Sequence, residues 1–214
     1  MSTPATPKVP AAPPPSFIVD SVLHVATYEG PLWRVFPTTG PHPQVWDELR
    51  HYGPVEDMRF DPQAPPPAFD PNAGVMYTST LPHTALGEVY QSTRVIDRAS
   101  RGATIASWIP SRPLQLLDLT TNWPVLNGAA AAMMMDDKQH TQAWARAIDQ
   151  QLGADVDGLY HQSAINNEPM VTLFSRTERV AAFPTRVSFM ALLSDTASDE
   201  IVRKATKKLG YESK

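Results

Sequence analysis

Residues 74–88 of the chain read GVMYTSTLPHTALGE and predict a strand followed at once by a helix. The run Val75–Thr78 is short, apolar and bounded by turn-forming residues, which is typical of a buried strand. Apolar residues then recur at offsets of three and seven, and this spacing indicates one helical stripe within Thr84–Ser100. The stripe consists of Leu86, Val89 and Ile96. The stretch therefore places Tyr77 at the end of a strand, just ahead of the helix that carries Glu88.

Other apolar runs bounded by turn residues predict strands on both sides of this stretch. They are Leu32–Phe36, Thr104–Ile109, Leu114–Leu119, Leu159–His161 and Val171–Phe174. Two further helices are predicted over Asp136–Leu152 and Ser198–Leu209, because each has acidic residues in its first turn and a glycine just beyond its end. Strands and helices are mixed without strict alternation, so we expect an α+β fold rather than a doubly wound sheet.

Proline usage divides the chain. Its 214 residues suffice for one substantial domain, and its 22 prolines are about twice the average usage. Six prolines fall within residues 1–15, so we interpret residues 1–16 as a disordered, solvated arm and residues 17–214 as a single domain. A second proline cluster, Pro65–Pro67, predicts an irregular segment because proline interrupts both helices and central strands.

The composition excludes several classes of protein. Cysteine is absent, which excludes disulfide scaffolds, thiolate zinc sites and cysteine nucleophiles and fits the cytoplasm. The longest apolar stretch, Ala129–Met135, is too short for a bilayer span, and no secretory signal is visible, so we expect no membrane association. The net charge of −4 lacks the basic surplus of a dedicated nucleic-acid binder.

The usual catalytic motifs are absent. The sequence has no phosphate-binding loop, no dinucleotide glycine fingerprint and no nucleophile elbow. The six histidines include no pair at helical i, i+4 spacing, so no metal site is expected. We interpret Asp155 and Asp157 as a solvated turn. A basic cluster near the C-terminus is interpreted as complementing a helix dipole. It consists of Arg203, Lys204, Lys207 and Lys208.

Four short segments stand in a defined order. They read LWRV (32–35), MRFDP (58–62), GVMYTS with TALGE (74–88) and VDGLYHQS (156–163). This order resembles the RES domain family, the toxins of RES–Xre toxin–antitoxin pairs, over about residues 30–180. The chain departs from the family pattern at Asp57, where a glycine is expected, and in a longer insertion around Pro65–Pro67.

The resemblance implies an ADP-ribosyltransferase-like fold, a split β-sandwich with flanking helices around a cleft that holds NAD. It implies an NAD-consuming toxin that breaks the nicotinamide–ribose bond as a glycohydrolase or phosphorylase, with NAD as substrate and no prosthetic group. The expected partners are an Xre-type helix-turn-helix antitoxin covering the cleft and a second copy of the chain in a homodimer. Two alternatives stay open: transfer of ADP-ribose to a protein, and a non-catalytic binding protein on the same scaffold.

The chemistry of the reaction fits residues in these segments. Cleaving an N-glycosidic bond develops positive charge on the ribose, and a fixed carboxylate stabilises it, which makes Glu88 the candidate. Without a phosphate loop, arginines must bind the pyrophosphate, and Arg34 and Arg59 are the candidates. Tyr77 can stack on the nicotinamide ring. Each also has an ordinary alternative: a solvated first-turn glutamate, surface arginines and a half-buried strand tyrosine.

Three further residues complete the expected site. The hydroxyl of Ser163 can hydrogen-bond the ribose or a phosphate, but no acid–histidine pair is positioned by sequence to make it a nucleophile. Trp33 and Tyr160 are expected to line the same cleft. The expected catalytic set is thus Glu88, Arg34 and Tyr77, and the expected NAD-binding set is Arg34, Arg59, Tyr77, Ser163, Trp33 and Tyr160.

Overall fold

The computed structural model of the protein describes residues 8–214 as twelve strands and six helices. The strands are β1 (Val25–Tyr28), β2 (Leu32–Pro37), β3 (Tyr52–Gly53), β4 (Ala68–Phe69), β5 (Val75–Ser79), β6 (Val95–Ile96), β7 (Ala103–Trp108), β8 (Leu114–Asp118), β9 (Gly158–Gln162), β10 (Pro169–Phe174), β11 (Phe189–Leu192) and β12 (Glu212–Ser213). The helices are α1 (Ser21–His24), α2 (Pro82–Tyr90), α3 (Trp123–Leu126), α4 (Lys138–Leu152), α5 (Arg176–Arg179) and α6 (Asp199–Leu209).

Eight strands form one large sheet in the order β1-β8-β9-β10-β5-β2-β7-β11. Within this sheet β8 and β9 run parallel, and the other neighbours are antiparallel. The predicted mixture of strands and helices without strict alternation is therefore confirmed. In residues 8–214 no helix has the length and apolar character that crossing a bilayer requires.

The large sheet divides between β5 and β2. A single residue pair, Trp33 with Ser79, joins these two strands, whereas β2 pairs with β7 along its whole length from Leu32 to Pro37. Beyond that pair the two strands separate. The sheet is thus split into two halves that meet at one point, and a cleft opens between them.

Each half of the sheet has its own apolar core. Trp144 and Ile148 of α4 are fully buried in a cluster with Leu159 of β9 and Phe174 of β10. On the other half, Leu86 of α2 is buried in a cluster with residues of β7 and α6. Burying side chains of this size contributes about 1.5–3 kcal/mol each. A third apolar cluster joins the two halves, because it contains Leu32 of β2 together with Leu173 of β10.

The N-terminal segment differs from the expected solvated arm. Val9 is fully buried in the α4 cluster, and its backbone N–H donates to Asp136 Oδ2 over 2.7 Å. The indole N–H of Trp144 donates to the carbonyl of Pro10 over 2.8 Å. Residues 8–16 therefore lie against the domain, because α4 offers an apolar site and hydrogen-bond partners that composition does not show. Residues 1–7 of the expected arm lie outside the described residues.

The helix predicted over Thr84–Ser100 is too long. The chain leaves α2 after Tyr90, and Arg94 takes a left-handed backbone conformation with φ of 54°. Ile96 is buried from strand β6, which pairs with β12, and Val89 is 50% exposed. The predicted stripe therefore combined residues of a helix and of a strand, although Leu86 and Ile96 are buried in the same apolar cluster.

The other two helices agree closely with the prediction. Helix α4 begins at Lys138, and the Asp137 side chain caps it by accepting from the N–H of Gln139 over 2.8 Å. Helix α6 ends at Leu209, and Gly210 follows with φ of 68°, the left-handed conformation that favours glycine. The six predicted strands all occur, with small shifts at their ends, while the edge strands β1 and β11 were not predicted.

The prediction of a solvated turn is correct for Asp155 and wrong for Asp157. Asp155 is exposed, but Asp157 is fully buried and accepts both guanidinium nitrogens of Arg112, at 2.7 and 2.6 Å. Arg176 and the N–H of Gln115 donate to the same carboxylate, at 2.7 and 2.9 Å. Asp157 is therefore a structural ion-pair centre and not a solvated residue.

We predict that Asp157→Ala lowers the free energy of unfolding by about 3–5 kcal/mol, because it leaves two arginines facing a buried site without their partner. Asp155→Ala, two residues away on the exposed turn, should change it by less than about 0.5 kcal/mol. Urea denaturation of both variants measures the difference. Equal, small effects would contradict a structural role for Asp157.

The effect of Asp157 should also depend on pH. Burial alone would raise the pKa of Asp157, but the hydrogen bonds from Arg112, Gln115 and Arg176 outweigh it and lower the pKa. A lowered pKa stabilises the fold above the unfolded aspartate value of about 3.9, and the contribution is lost as the pH falls through the folded-state pKa. The gap between wild type and Asp157→Ala should therefore narrow only below about pH 4.

Candidate active site

The cleft between the two halves of the sheet has a volume of about 930 Å³. This is near the upper end of the range of small-molecule sites, about 300–1,000 Å³. Its walls come from β2, from β5, from the last turns of α2 and from the loop before Phe60. Both aromatic and charged side chains line it, as in sites that bind polar organic ligands.

The structure brings most of the expected site residues to this cleft. Trp33, Arg34, Arg59, Tyr77 and Glu88 line its walls. Ser163 joins them indirectly, because its hydroxyl donates to Glu88 Oε1 over 2.6 Å. The sequence-based set therefore converges on one place, although its members come from four separate parts of the chain.

Tyr160 is the exception. It lies next to His161 on β9, and successive side chains of a strand point to opposite faces. His161 lines the cleft, whereas Tyr160 packs against the apolar cluster that contains Leu116 and Leu173. Burial there raises the pKa of Tyr160. The expectation that Tyr160 lines the cleft is therefore wrong, because neighbouring side chains on β9 point to opposite faces of the sheet.

Glu88 points into the cleft from the last turn of α2 and is half-buried. Burial raises the pKa of its carboxyl, while the hydrogen bond from Ser163 and the charge of Arg59 lower it and only partly compensate. Ser163 is itself buried, and its oxygen accepts the N–H of Ile165 over 3.1 Å, which orients the hydroxyl. The site thus holds one fixed, partly desolvated carboxylate.

Arg59 lies in the loop on the facing wall. One of its guanidinium nitrogens donates to the backbone carbonyl of Asp136. Burial lowers the pKa of Arg59, and the charges of Asp136 and Glu88 oppose this shift. Within residues 8–214 Arg59 and Glu88 form no direct ion pair, and both line the cleft.

The loop that carries Arg59 is held from both sides. The side-chain amide of Gln142, on α4, donates to the carbonyls of Val55 and Met58 at 2.9 and 2.7 Å. The N–H of Val55 donates to Asp61 Oδ2 over 2.7 Å. Arg59 is therefore presented on a fixed loop rather than a mobile one.

The ring of Tyr77 faces the cleft, whereas its hydroxyl is hydrogen-bonded within the protein. The hydroxyl donates to Asp61 Oδ1 over 2.8 Å and accepts the N–H of Phe60 over 2.9 Å. Burial and the neighbouring Asp61 carboxylate raise the pKa of Tyr77 well above its ordinary value, so the phenol stays neutral. The ring face that remains on the cleft wall is suited to stacking on a flat ligand.

Asp61 and Arg50 are functional-site residues that the sequence did not indicate. Asp61 is fully buried beneath Tyr77, and Arg50 donates to it over 2.6 Å. Asp61 stands in the MRFDP segment, but nothing in that segment distinguishes a buried carboxylate from a turn aspartate. Arg50 lies outside all four segments, so no local signal could have identified it.

Arg34 lies on the cleft wall but uses its guanidinium within the protein. It donates to the carbonyls of Val45 and Glu48, at 2.7 and 3.2 Å, and to Gln44 Oε1 at 2.7 Å. Burial lowers its pKa to about 10, so the group remains charged at neutral pH. These contacts favour a role in anchoring the loop of residues 44–48 and leave little of the guanidinium for a ligand.

His161 is a cleft residue that was considered only as a metal ligand. It is buried, and its Nε2 lies 2.9 Å from the hydroxyl of Thr172. The rings of His161 and Phe60 pack in an edge-to-face arrangement. Burial lowers its pKa to about 4, so the imidazole is neutral at physiological pH. It therefore forms part of the cleft floor without adding charge.

Comparison with known proteins adds a family and a fold. The family model described as RES domain matches residues 31–194. A chain of the crystal structure of the M. tuberculosis MbcT–MbcA toxin–antitoxin complex is similar, with a TM-score of 0.52 and 15% identity over 80% of this chain and 87% of that chain. At this identity the likeness shows the fold alone, and it agrees with the large sheet and flanking helices. No curated protein matches the sequence.

We predict that Ser163→Ala raises the pKa of Glu88 further, because it removes the hydrogen bond that stabilises the carboxylate form. An NMR pH titration of the Glu88 carboxyl carbon measures this shift. Ser92→Ala, an exposed serine on the same cleft, is the matched control and should leave the pKa unchanged. A pKa of Glu88 that does not rise in Ser163→Ala would contradict the assigned hydrogen bond.

Proposed function

The chain belongs to the RES domain family, and from this premise we propose that it is an NAD-consuming toxin that cleaves the bond between nicotinamide and ribose. The observation that carries the proposal is the placement of Glu88. Its carboxylate is fixed by Ser163 inside a cleft whose walls also hold the ring of Tyr77 and the guanidinium of Arg59. A carboxylate can stabilise the ribose cation, an aromatic wall can hold nicotinamide, and a guanidinium can bind phosphate.

The role of Glu88 follows from the charge that develops during the reaction. As nicotinamide leaves, the ribose becomes an oxocarbenium-like cation, and a preorganised carboxylate stabilises that charge. Hydrogen bonds from the ribose hydroxyls to the same carboxylate orient the sugar. Ser163 keeps the carboxylate in place and needs no activation, since it does not attack.

Tyr77 and Arg59 bind the two ends of the reacting half of NAD. Nicotinamide leaves as a flat, neutral ring, and the ring of Tyr77 can hold it by offset stacking. Arg59 keeps guanidinium N–H groups beyond the one bonded to the Asp136 carbonyl, and such groups suit phosphate oxygens. Water or phosphate then attacks the exposed face of the ribose.

We expect Glu88→Gln to lower the rate of nicotinamide release about 100- to 1,000-fold, because the amide keeps the shape but lacks the charge that stabilises the cation. Glu56→Gln, an exposed glutamate in the loop before Arg59, is the control and should retain wild-type activity. Incubating purified protein with NAD and identifying the products measures both. Free ADP-ribose indicates hydrolysis, its 1″-phosphate phosphorolysis, and a modified protein ADP-ribosyl transfer.

The rate should also fall at low pH. Burial raises the pKa of Glu88 above the ordinary 4.5, so the required carboxylate is lost as the pH falls through this raised value. Ser163→Ala should move the acidic limb to higher pH, in the direction expected for its effect on Glu88. Wild-type nicotinamide release by Glu88→Gln would refute the proposed mechanism.

The proposed toxin role implies a compartment in which the protein acts and a partner that neutralises it. The similar solved structure is that of a toxin–antitoxin complex, in which a toxin is bound by its antitoxin. By family membership we propose that this chain acts in the cytoplasm and is neutralised by an Xre-type helix-turn-helix antitoxin that covers the cleft. An occupant of the cleft mouth would exclude NAD from Glu88 and Arg59 without changing the fold.

We predict that induced expression of the wild-type chain in a bacterial host arrests growth and lowers cellular NAD, and that Glu56→Gln does the same. Glu88→Gln should do neither, because NAD loss is the proposed cause of the arrest. Culture density and NAD content of extracts are the two measurements. Growth arrest by Glu88→Gln at wild-type NAD levels would indicate a binding protein instead of an enzyme.

A further inference from the structure

Five cationic side chains line the cleft, and four of them are already bound to protein acceptors. They are Arg34, Arg50, Arg59, Arg101 and Lys138. The contacts of the first three are described above, and Lys138 Nζ lies 3.3 Å from Asp57 Oδ1. Among the described residues, the side chain of Arg101 has no hydrogen bond or ion pair. It is therefore the one cleft cation in residues 8–214 whose whole guanidinium is free for a ligand.

The backbone that carries Arg101 is fixed in an unfavourable conformation. Arg101 has φ of 57° and ψ of 24°, the left-handed region that a side chain disfavours. The N–H of Thr39 donates to its carbonyl over 3.1 Å. A Cβ at the next residue, Gly102, would lie 2.5 Å from Thr38 Oγ1, so the turn is packed closely against Thr38. Unfavourable backbone that the surroundings enforce is common at ligand sites.

The neighbouring acidic residue does not compete for Arg101. Asp97 lines the same end of the cleft, but its Oδ1 accepts the N–H groups of Ala99 and Ser100 at 3.2 and 3.0 Å. Its Oδ2 lies 3.4 Å from Lys214 Nζ. The carboxylate of Asp97 is therefore already paired with other groups of the protein and not with Arg101.

Arg101 stands at the end of the cleft away from the junction of β2 and β5. That junction is at Trp33, whereas Pro37 at the other end of β2 pairs with Ala103, two residues after Arg101. The four residue steps from Trp33 to Pro37 span about 13 Å of extended strand. A dinucleotide extends well beyond its reacting ribose, so its central phosphates need their own contact along the cleft.

We propose that Arg101 binds the pyrophosphate of the dinucleotide, an inference that rests on the proposed cleavage of NAD. A free guanidinium can form two parallel hydrogen bonds to phosphate oxygens, which a lysine cannot. Arg101 takes the place that the sequence had given to Arg34, whose N–H groups are used by the loop of residues 44–48.

The test is the affinity of the full chain for ADP-ribose, which carries the pyrophosphate and is not cleaved, measured by calorimetry. Arg101→Ala should weaken binding about 10- to 100-fold, the loss expected for a charge-assisted hydrogen bond. Arg101→Lys should recover part of it by retaining the charge. Arg94→Ala is the matched control, because Arg94 is also an exposed arginine with left-handed backbone, φ of 54°, but lies outside the cleft lining.

The outcomes separate this inference from the proposed function. The pyrophosphate site is overturned if Arg101→Ala binds ADP-ribose as tightly as wild type does. It is also overturned if Arg94→Ala loses as much affinity as Arg101→Ala, or if wild type does not bind ADP-ribose. If nicotinamide release from NAD persists in that case, the proposed function survives. If wild type binds ADP-ribose through Arg101 but releases no nicotinamide, the pyrophosphate site stands and NAD cleavage fails.

Discussion

The buried carboxylate of Asp61 is the interaction on which the candidate site depends. A charge without solvent must be met by donors, and three separate segments supply them: Arg50, the N–H of Val55 and the hydroxyl of Tyr77. Satisfying this one group therefore brings strand β5 and the loop that carries Arg59 into a fixed relation. The open side of the cleft then follows from the sheet, whose halves are joined by a single residue pair.

Around that fixed centre, the cations of the cleft have separate tasks. Arg34 and Arg50 have guanidinium groups bound to acceptors of the protein, and they shape the walls. Arg59 is shared between the protein and the cleft, and Arg101 lines the cleft with no acceptor among residues 8–214. An exposed guanidinium such as that of Arg101 can be hydrated by water when no ligand is bound. A buried guanidinium has no water around it and requires acceptors within the protein. The depth of each arginine thus decides whether it supports the structure or can bind a substrate.

The sequence predicted the strands and the ends of α4 and α6, because their apolar runs and caps are local signals. It pointed to Glu88 through the family resemblance and the charge that the reaction develops. The predicted helical stripe was wrong, because Val89 and Ile96 belong to two different elements. Tyr160 was misplaced because only the sheet decides which face of β9 the cleft uses. Asp61 could not be recognised at all, because its importance arises from residues distant along the chain.

The N-terminal segment shows how far the site extends beyond the part of the chain that matches the family. The N–H groups of Lys8 and Val9 both donate to Asp136 Oδ2 at 2.7 Å, and the backbone carbonyl of the same residue accepts from Arg59. The imidazole of His140 lies 2.7 Å from the carbonyl of Val9 and adds a second attachment to α4. Because one residue joins the segment to Arg59, the position of that cation depends on residues that precede the matched range of 31–194. The proline-rich segment therefore supports the wall of the cleft, and its composition alone would have assigned it to solvent.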